Sequence, residues 1–196
     1  MKNSIQMGLA AALLVAGAGV AHAQETSFRG FRAEGQIGWD RFQSQGDHHD
    51  KLGYGGAVGF DGVIHDRFVV GAEGSFWRAN KWSQNCTGGV VGGTVCTKSF
   101  EEWGAAARAG YLVTPKVLVY GKGGYVNNEQ RKFFAAPPGE TSYYNHYRTD
   151  GYQVGGGVEY SLNDNFYVNT EYRYAGYADH TARQRVLVGF GVRFKP

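Results

Sequence analysis

The feature that most narrows the fold is an alternation of period two carrying aromatic residues at a fixed spacing. In "GYQVGGGVEYSLNDNFYVNTEYRY", residues 151–174, Tyr152, Val154, Val158 and Tyr160 share one parity, and Gln153, Gly155, Gly157 and Glu159 the other. After the polar turn "SLNDN", Phe166, Val168, Thr170, Tyr172 and Tyr174 alternate with Asn169, Glu171 and Arg173. Period two marks β-strands, and a short polar turn between two of them marks a hairpin. The same reading places eight strands, at 29–43, 52–63, 68–78, 100–113, 117–126, 151–161, 166–174 and 184–194. No segment reads as a helix and no linker divides the chain. The expected fold class is all-β.

The connections alternate in length. "IHDR", "TPK" and "LNDN" are tight turns. "SQGDHHDK", the stretch around Cys86 and Cys96, "NNEQRKFFAAPPGETSYYNHYRTD" and "AGYADHTAR" read as longer loops. Short turns at one end and long loops at the other describe an antiparallel up-and-down meander, the asymmetry of an outer-membrane barrel.

The first 23 residues have Lys2, an apolar run to about Val20, and small residues Ala21 and Ala23 at the end. That pattern is a secretory signal peptide, so residues 1–23 are set aside and 24–196 form one barrel domain. The formal net charge of +3 becomes +2 without Lys2, because no acidic residue precedes Glu25. So small an excess gives no argument for nucleic acid as a partner. Mean hydropathy is below zero, but alternating strands hide a lipid-facing row from any average.

The rows themselves separate a soluble barrel from a membrane one. Tyr152 and Tyr160, Phe166 and Tyr174, Trp103 and Tyr111, and Phe68 and Phe76 are each eight residues apart on one parity. At about 3.4 Å per residue and a tilt near 40°, that spacing covers roughly 21 Å along a barrel axis, close to an apolar band with aromatic girdles at both rims. Trp39, Tyr54 and Tyr125 fall near the outer rim in this register, and Phe60 and Phe194 near the periplasmic one. The opposite parity holds Glu34, Gln36, Glu73, Glu102, Arg108, Lys122, Glu159, Asn169, Glu171, Arg173, Arg185 and Arg193, separated by glycines. Mixed charges at similar depth suit a narrow interior in which they pair, because an unpaired buried charge is costly. Arg173 and Lys122 are the expected partners of Glu159 and Glu171. The aromatic row is expected to face lipid, making this an eight-stranded antiparallel transmembrane β-barrel.

"GGGVEYSLNDNFYVNTEYRY" and the closing "VLVGFGVRF" resemble the last strands of the small outer-membrane β-barrel family, the opacity and OmpA-like group of Gram-negative bacteria. The resemblance is strongest from Val117 onward and implies a bacterial outer-membrane location. That family's closing strand usually ends in an aromatic; here Phe194 is followed by Lys195 and Pro196, a departure. No peptidoglycan-binding segment follows, so no wall anchor of the OmpA kind is expected.

Other motifs carry less. Cys86 and Cys96 are the only cysteines, and in an exported chain they are expected to form a disulfide. "DHHD" at 47–50 could ligate a transition metal, but adjacent histidines on an extended segment point apart, and a solvated loop tip is the preferred reading. "GYGGAVG" lacks the spacing and the following helix of a dinucleotide fingerprint. Ser142 and His146, or Asp179, His180 and Thr181, could be assembled into a hydrolytic set, but neither lies on the lipid-facing row where an acyl substrate would arrive. The expected protein is a non-enzymatic monomer without cofactor, structural or surface-interacting. Its partners are outer-membrane lipid and lipopolysaccharide, with an extracellular partner possible through the loops. The third loop, with Phe133, Phe134, Tyr143, Tyr144 and Tyr147 amid Arg131, Lys132 and Arg148, is the expected contact surface. A narrow pore, a lipid hydrolase and a soluble ligand-binding barrel are the alternatives.

Overall fold

The computed structural model describes residues 27–44, 47–88, 94–135, 142–177 and 181–194. The expected signal peptide, residues 1–23, lies outside them. Eight strands follow in order: β1 (Gly30–Ser44), β2 (Asp47–Ile64), β3 (Phe68–Gly88), β4 (Thr94–Thr114), β5 (Val117–Ala135), β6 (Tyr143–Ser161), β7 (Phe166–Tyr177) and β8 (Thr181–Phe194). Each pairs antiparallel with its sequence neighbours, and β8 returns to β1 from Phe31↔Phe194 to Ser44↔Thr181, closing the barrel. Closure leaves no unpaired edge within the barrel wall.

The three tight turns all lie at one end. His65 and Asp66 both adopt positive φ, 48° and 59°, as a hairpin turn between right-twisted strands requires. Asn163 closes the β6–β7 turn, its Oδ1 accepting the backbone N–H groups of Asn165 and Phe166 at 2.9 and 2.8 Å.

The other end departs from the expected loops. The "DHHD" segment belongs to β2, where Asp47 opposes Ser44, so it is no loop tip. Cys86 and Cys96 lie in β3 and β4, and Phe133, Phe134, Tyr143 and Tyr144 in β5 and β6. Above the rim neither face meets lipid, so the apolar alternation fades while backbone pairing continues; that loss of pattern is what reads as loop. The β2–β3 ladder ends at Gly53↔Ala79 and the β6–β7 ladder at Gly151↔Tyr177. Between them β3–β4 runs on to Gly88↔Thr94, β4–β5 to Thr94↔Ala135 and β5–β6 to Phe134↔Tyr143. Four strands therefore rise above the barrel as one sheet.

Candidate functional site

Polar chemistry concentrates in the barrel interior and on the raised sheet. Inside, among the described residues, seven cations (Arg32, Arg108, Lys122, Arg173, Arg183, Arg185, Arg193) and seven carboxylates (Glu34, Asp40, Asp61, Glu73, Glu102, Glu159, Glu171) are buried. Equal numbers let each charge find an opposite, which offsets the desolvation of both.

Toward the turn end, Glu159 accepts from Arg108 at 2.6 Å and from Arg193. Asp61 lies 3.2, 3.7 and 3.4 Å from Arg32, Arg108 and Arg193. At mid-height Glu73 meets Arg32 and Lys122, while Glu171 meets Lys122 at 2.9 Å and Arg173 at 2.6 Å. Nearer the raised sheet, Asp40 takes both Nε and Nη2 of Arg183, and Glu102 takes Arg185 at 2.5 Å. Arg173 and Lys122 thus serve Glu171 as expected, but Glu159 pairs with Arg108 and Arg193 instead. The register explains the difference: Glu159 opposes Asn169 and Glu171 opposes Gly157, so the two carboxylates sit at different heights.

Arg32, Asp40, Asp61 and Arg183 were not among the expected interior residues. Arg32 and Asp40 share the parity of Glu34 and Gln36, a signal sufficient to find them; Arg183 precedes the expected start of its strand. Several aromatics also depart from the lipid-facing rule. Trp77, Tyr120, Tyr167 and Tyr177 are buried inside. Each donates to a carboxylate: Trp77 Nε1 to Asp40 at 2.9 Å, Tyr120 to Glu171 at 2.9 Å, Tyr167 to Glu34 at 2.8 Å, and Tyr177 to Glu102. Glycines make room for these rings. A Cβ on Gly191 would lie 2.2 Å from the Tyr167 ring, and one on Gly53 2.4 Å from Trp77. One apolar cluster, Phe28, Val69, Leu112, Leu118 and Tyr120, lies at the turn end, and a second, Val126, Ala175 and Tyr177, lies among the charges of the other end, where Ala175 opposes Arg183.

Outside, Phe68 opposes Tyr111 and Phe76 opposes Trp103, eight residues apart on each strand; Tyr125 opposes Tyr152. Phe31 and Phe60 meet edge-on with centroids 5.0 Å apart. Trp39, Tyr54, Phe60, Trp103, Tyr152, Tyr160, Phe166 and Phe194 are all exposed on this wall. Beyond the upper row, Arg41 holds Asp50 through two bonds of 2.6 and 2.8 Å, which raises its pKa. Asp150 accepts from Tyr125 and from Asn127 at 2.7 Å, and those bonds hold its carboxyl below the usual range. On the raised sheet Cys86 directly opposes Cys96. Among the described residues no three His, Cys, Asp or Glu side chains are grouped to hold a metal. Asp179 and His180 lie outside the described residues, and Thr181 is a buried β8 residue.

A family model described as the outer membrane protein beta-barrel domain matches residues 10–194. A 31 kDa outer-membrane immunogenic protein of Brucella melitensis is 28% identical over 130 residues, covering 62% of this chain and 53% of that protein. The chain thus spans about half the length of the curated relatives it matches. The attachment invasion locus protein Ail of Yersinia pestis, crystallised with the heparin analogue sucrose octasulfate, superposes with a TM-score of 0.54 at 17% identity, covering 85% of this chain and 99% of that one. Neisserial surface protein A gives 0.53 at 15% identity, with 84% and 97% covered. The N-terminal barrel of Pseudomonas aeruginosa OprF gives 0.52 at 15%, with 85% and 99% covered.

Proposed function

We propose, from the premise that this chain belongs to the outer membrane protein beta-barrel domain family and resides in the bacterial outer membrane, that it acts as a membrane-anchored surface-contact protein. The barrel is the anchor, and the sheet formed by β3, β4, β5 and β6 above the outer rim is the contact element. The carrying observation is that these four strands stay paired past the points where β2 and β7 leave them. A sheet raised without an apolar requirement on either face is free to present variable polar and aromatic chemistry. Attachment by the Yersinia pestis barrel of the same fold supports this reading.

The interior supports an anchor over a pore. Fourteen buried charges, four hydrogen-bonded aromatic rings and two apolar clusters fill a barrel of a size that side chains alone can close. Replacing residues 80–99 and 128–150 with short turns tests the proposal. The shortened barrel should still insert and shift on a gel when boiled, while cells displaying it should bind immobilised extracellular-matrix proteins no better than cells without it. Binding undiminished by the shortening would refute the contact role.

A further inference from the structure

We propose that the segment ahead of β1 is a removable stopper: Ser27 and Phe28 fold into the periplasmic mouth of the barrel and seal its charged interior from water. The turn end is the periplasmic one, where outer-membrane barrels carry their short connections. β1 starts at Gly30, and Phe31 is already exposed on the outer wall. Ahead of them the strand does not continue. Gly30 takes a φ of 122°, the only glycine with a positive φ among the described residues, and residues 27 and 28 form a turn. Only glycine adopts that φ without strain, so the bend is specified by the residue at position 30. Residues 27–29 belong to neither ladder of β1, which begin at Gly30↔Asp61 and Phe31↔Phe194. The segment can therefore leave the mouth without unpairing the wall.

The bend delivers a phenyl ring into the mouth. Phe28 is fully buried in one cluster with Val69 of β3, Leu112 of β4, and Leu118 and Tyr120 of β5. From β8, the Arg193 guanidinium lies 5.2 Å from the ring centroid, within cation–π range. The hydroxyls of Ser27 and Ser161, at the end of β6, are hydrogen-bonded at 2.9 Å. This socket draws on five strands and exists only once β8 has closed on β1. On its outer side lies a hollow of about 770 Å³, lined by Ser27, Asp66, Arg67, Leu112, Lys116 and Ser161. On its inner side Leu118 directly opposes Glu159, and the Arg193 that meets the Phe28 ring also holds Glu159 and lies 3.4 Å from Asp61. The ring thus stands between the periplasmic hollow and the ion pairs. Water reaching those pairs would weaken them, because attraction between charges falls as the surrounding dielectric rises.

The test uses the purified full chain in detergent micelles, with Cys86→Ser and Cys96→Ser so that one reporter thiol can be placed at will. Val69→Cys puts it in the socket, and a charged, water-soluble maleimide measures how often water reaches it. With Phe28 present, labelling should be slow. Phe28→Ala should speed it about tenfold or more, whereas Phe28→Leu, which keeps an apolar stopper, should stay within about threefold of the parent. Gly30→Ala leaves the ring intact but strains the bend, and it should speed labelling too; this arm decides if Phe28→Ala does not fold. A reporter at Ala175→Cys, buried toward the other end, should label at one rate whether or not Phe28 is present. The boiled-versus-unboiled gel shift shows that each variant is folded. Labelling at position 69 that neither Phe28→Ala nor Gly30→Ala accelerates would overturn the proposal. Equal acceleration at 69 and 175 would overturn it as well, because it would mean that the whole interior has loosened and no mouth has been opened.

Discussion

Glu159 holds two guanidiniums, those of Arg108 and Arg193, and both also flank Asp61. Glu159→Gln would leave Asp61 as the one carboxylate paired with Arg108 and Arg193. The expected cost is about 3–5 kcal/mol, since a stranded buried charge has neither water nor partner; a urea titration of the barrel in vesicles should show the lower midpoint. Gly191 presents the converse constraint, one of space. Its missing Cβ is the room that the Tyr167 ring occupies. Gly191→Val should cost about 1–3 kcal/mol by overpacking, and far less in a Tyr167→Ala background. Additive effects of the two substitutions would refute this contact. Single residues of this interior were legible by parity, as Glu34, Glu102 and Arg173 show. Their partners were legible only in part, as Glu159 shows, because a partner depends on strand stagger and tilt, which no single strand records.

At the scale of elements, the turns were the most legible part. "IHDR" and "LNDN" become turns because His65 and Asp66 take positive φ and the Asn163 side chain accepts backbone N–H groups. The raised strands were not legible, because pairing above the membrane needs no apolar row to sustain it. That pairing sharpens the expectation for Cys86 and Cys96. Directly opposed residues have Cα atoms about 4.5–5.5 Å apart, within the range a disulfide spans. We expect the bond in protein taken from native membranes, and mass spectrometry finding both thiols free would contradict it. Cys86→Ser should loosen the tip of the β3–β4 hairpin, measured as faster backbone hydrogen exchange there, without changing insertion. Faster exchange spreading through the barrel would instead mean that the hairpin supports the wall.

For the whole molecule, the outcome of interest is which face meets lipid and whether anything passes between. Val154 is exposed on the outer wall two residues below Tyr152 toward Tyr160, whereas Asn169 is buried and donates to Glu34 at 2.9 Å. A spin label at 154 should be reached by lipid-soluble oxygen in the membrane, and one at 169 should be shielded; the reverse order would invert the faces. Val154→Arg should cost an amount between the roughly 0–1 kcal/mol of the interface and the roughly 2–4 kcal/mol of the bilayer midplane. Planar bilayers containing the wild-type barrel should show no large, steady conductance, since paired charges and apolar side chains fill the interior. A stable open current would mean that these layers part in the membrane.

Local order along the chain was enough to specify eight strands, their antiparallel sequence, the end bearing the tight turns and the face bearing the aromatics. Each depends on side-chain alternation or turn chemistry within a few residues, and so survives in one dimension. Closure decided the rest. Bringing β8 back to β1 sets the stagger of every ladder, and stagger assigns Glu159 to Arg108 and Arg193 and turns four inward aromatics into hydrogen-bond donors. It also brings Arg32, Arg108 and Arg193 from three strands around Asp61. These are distances between residues far apart in the chain, and only the closed sheet makes them short.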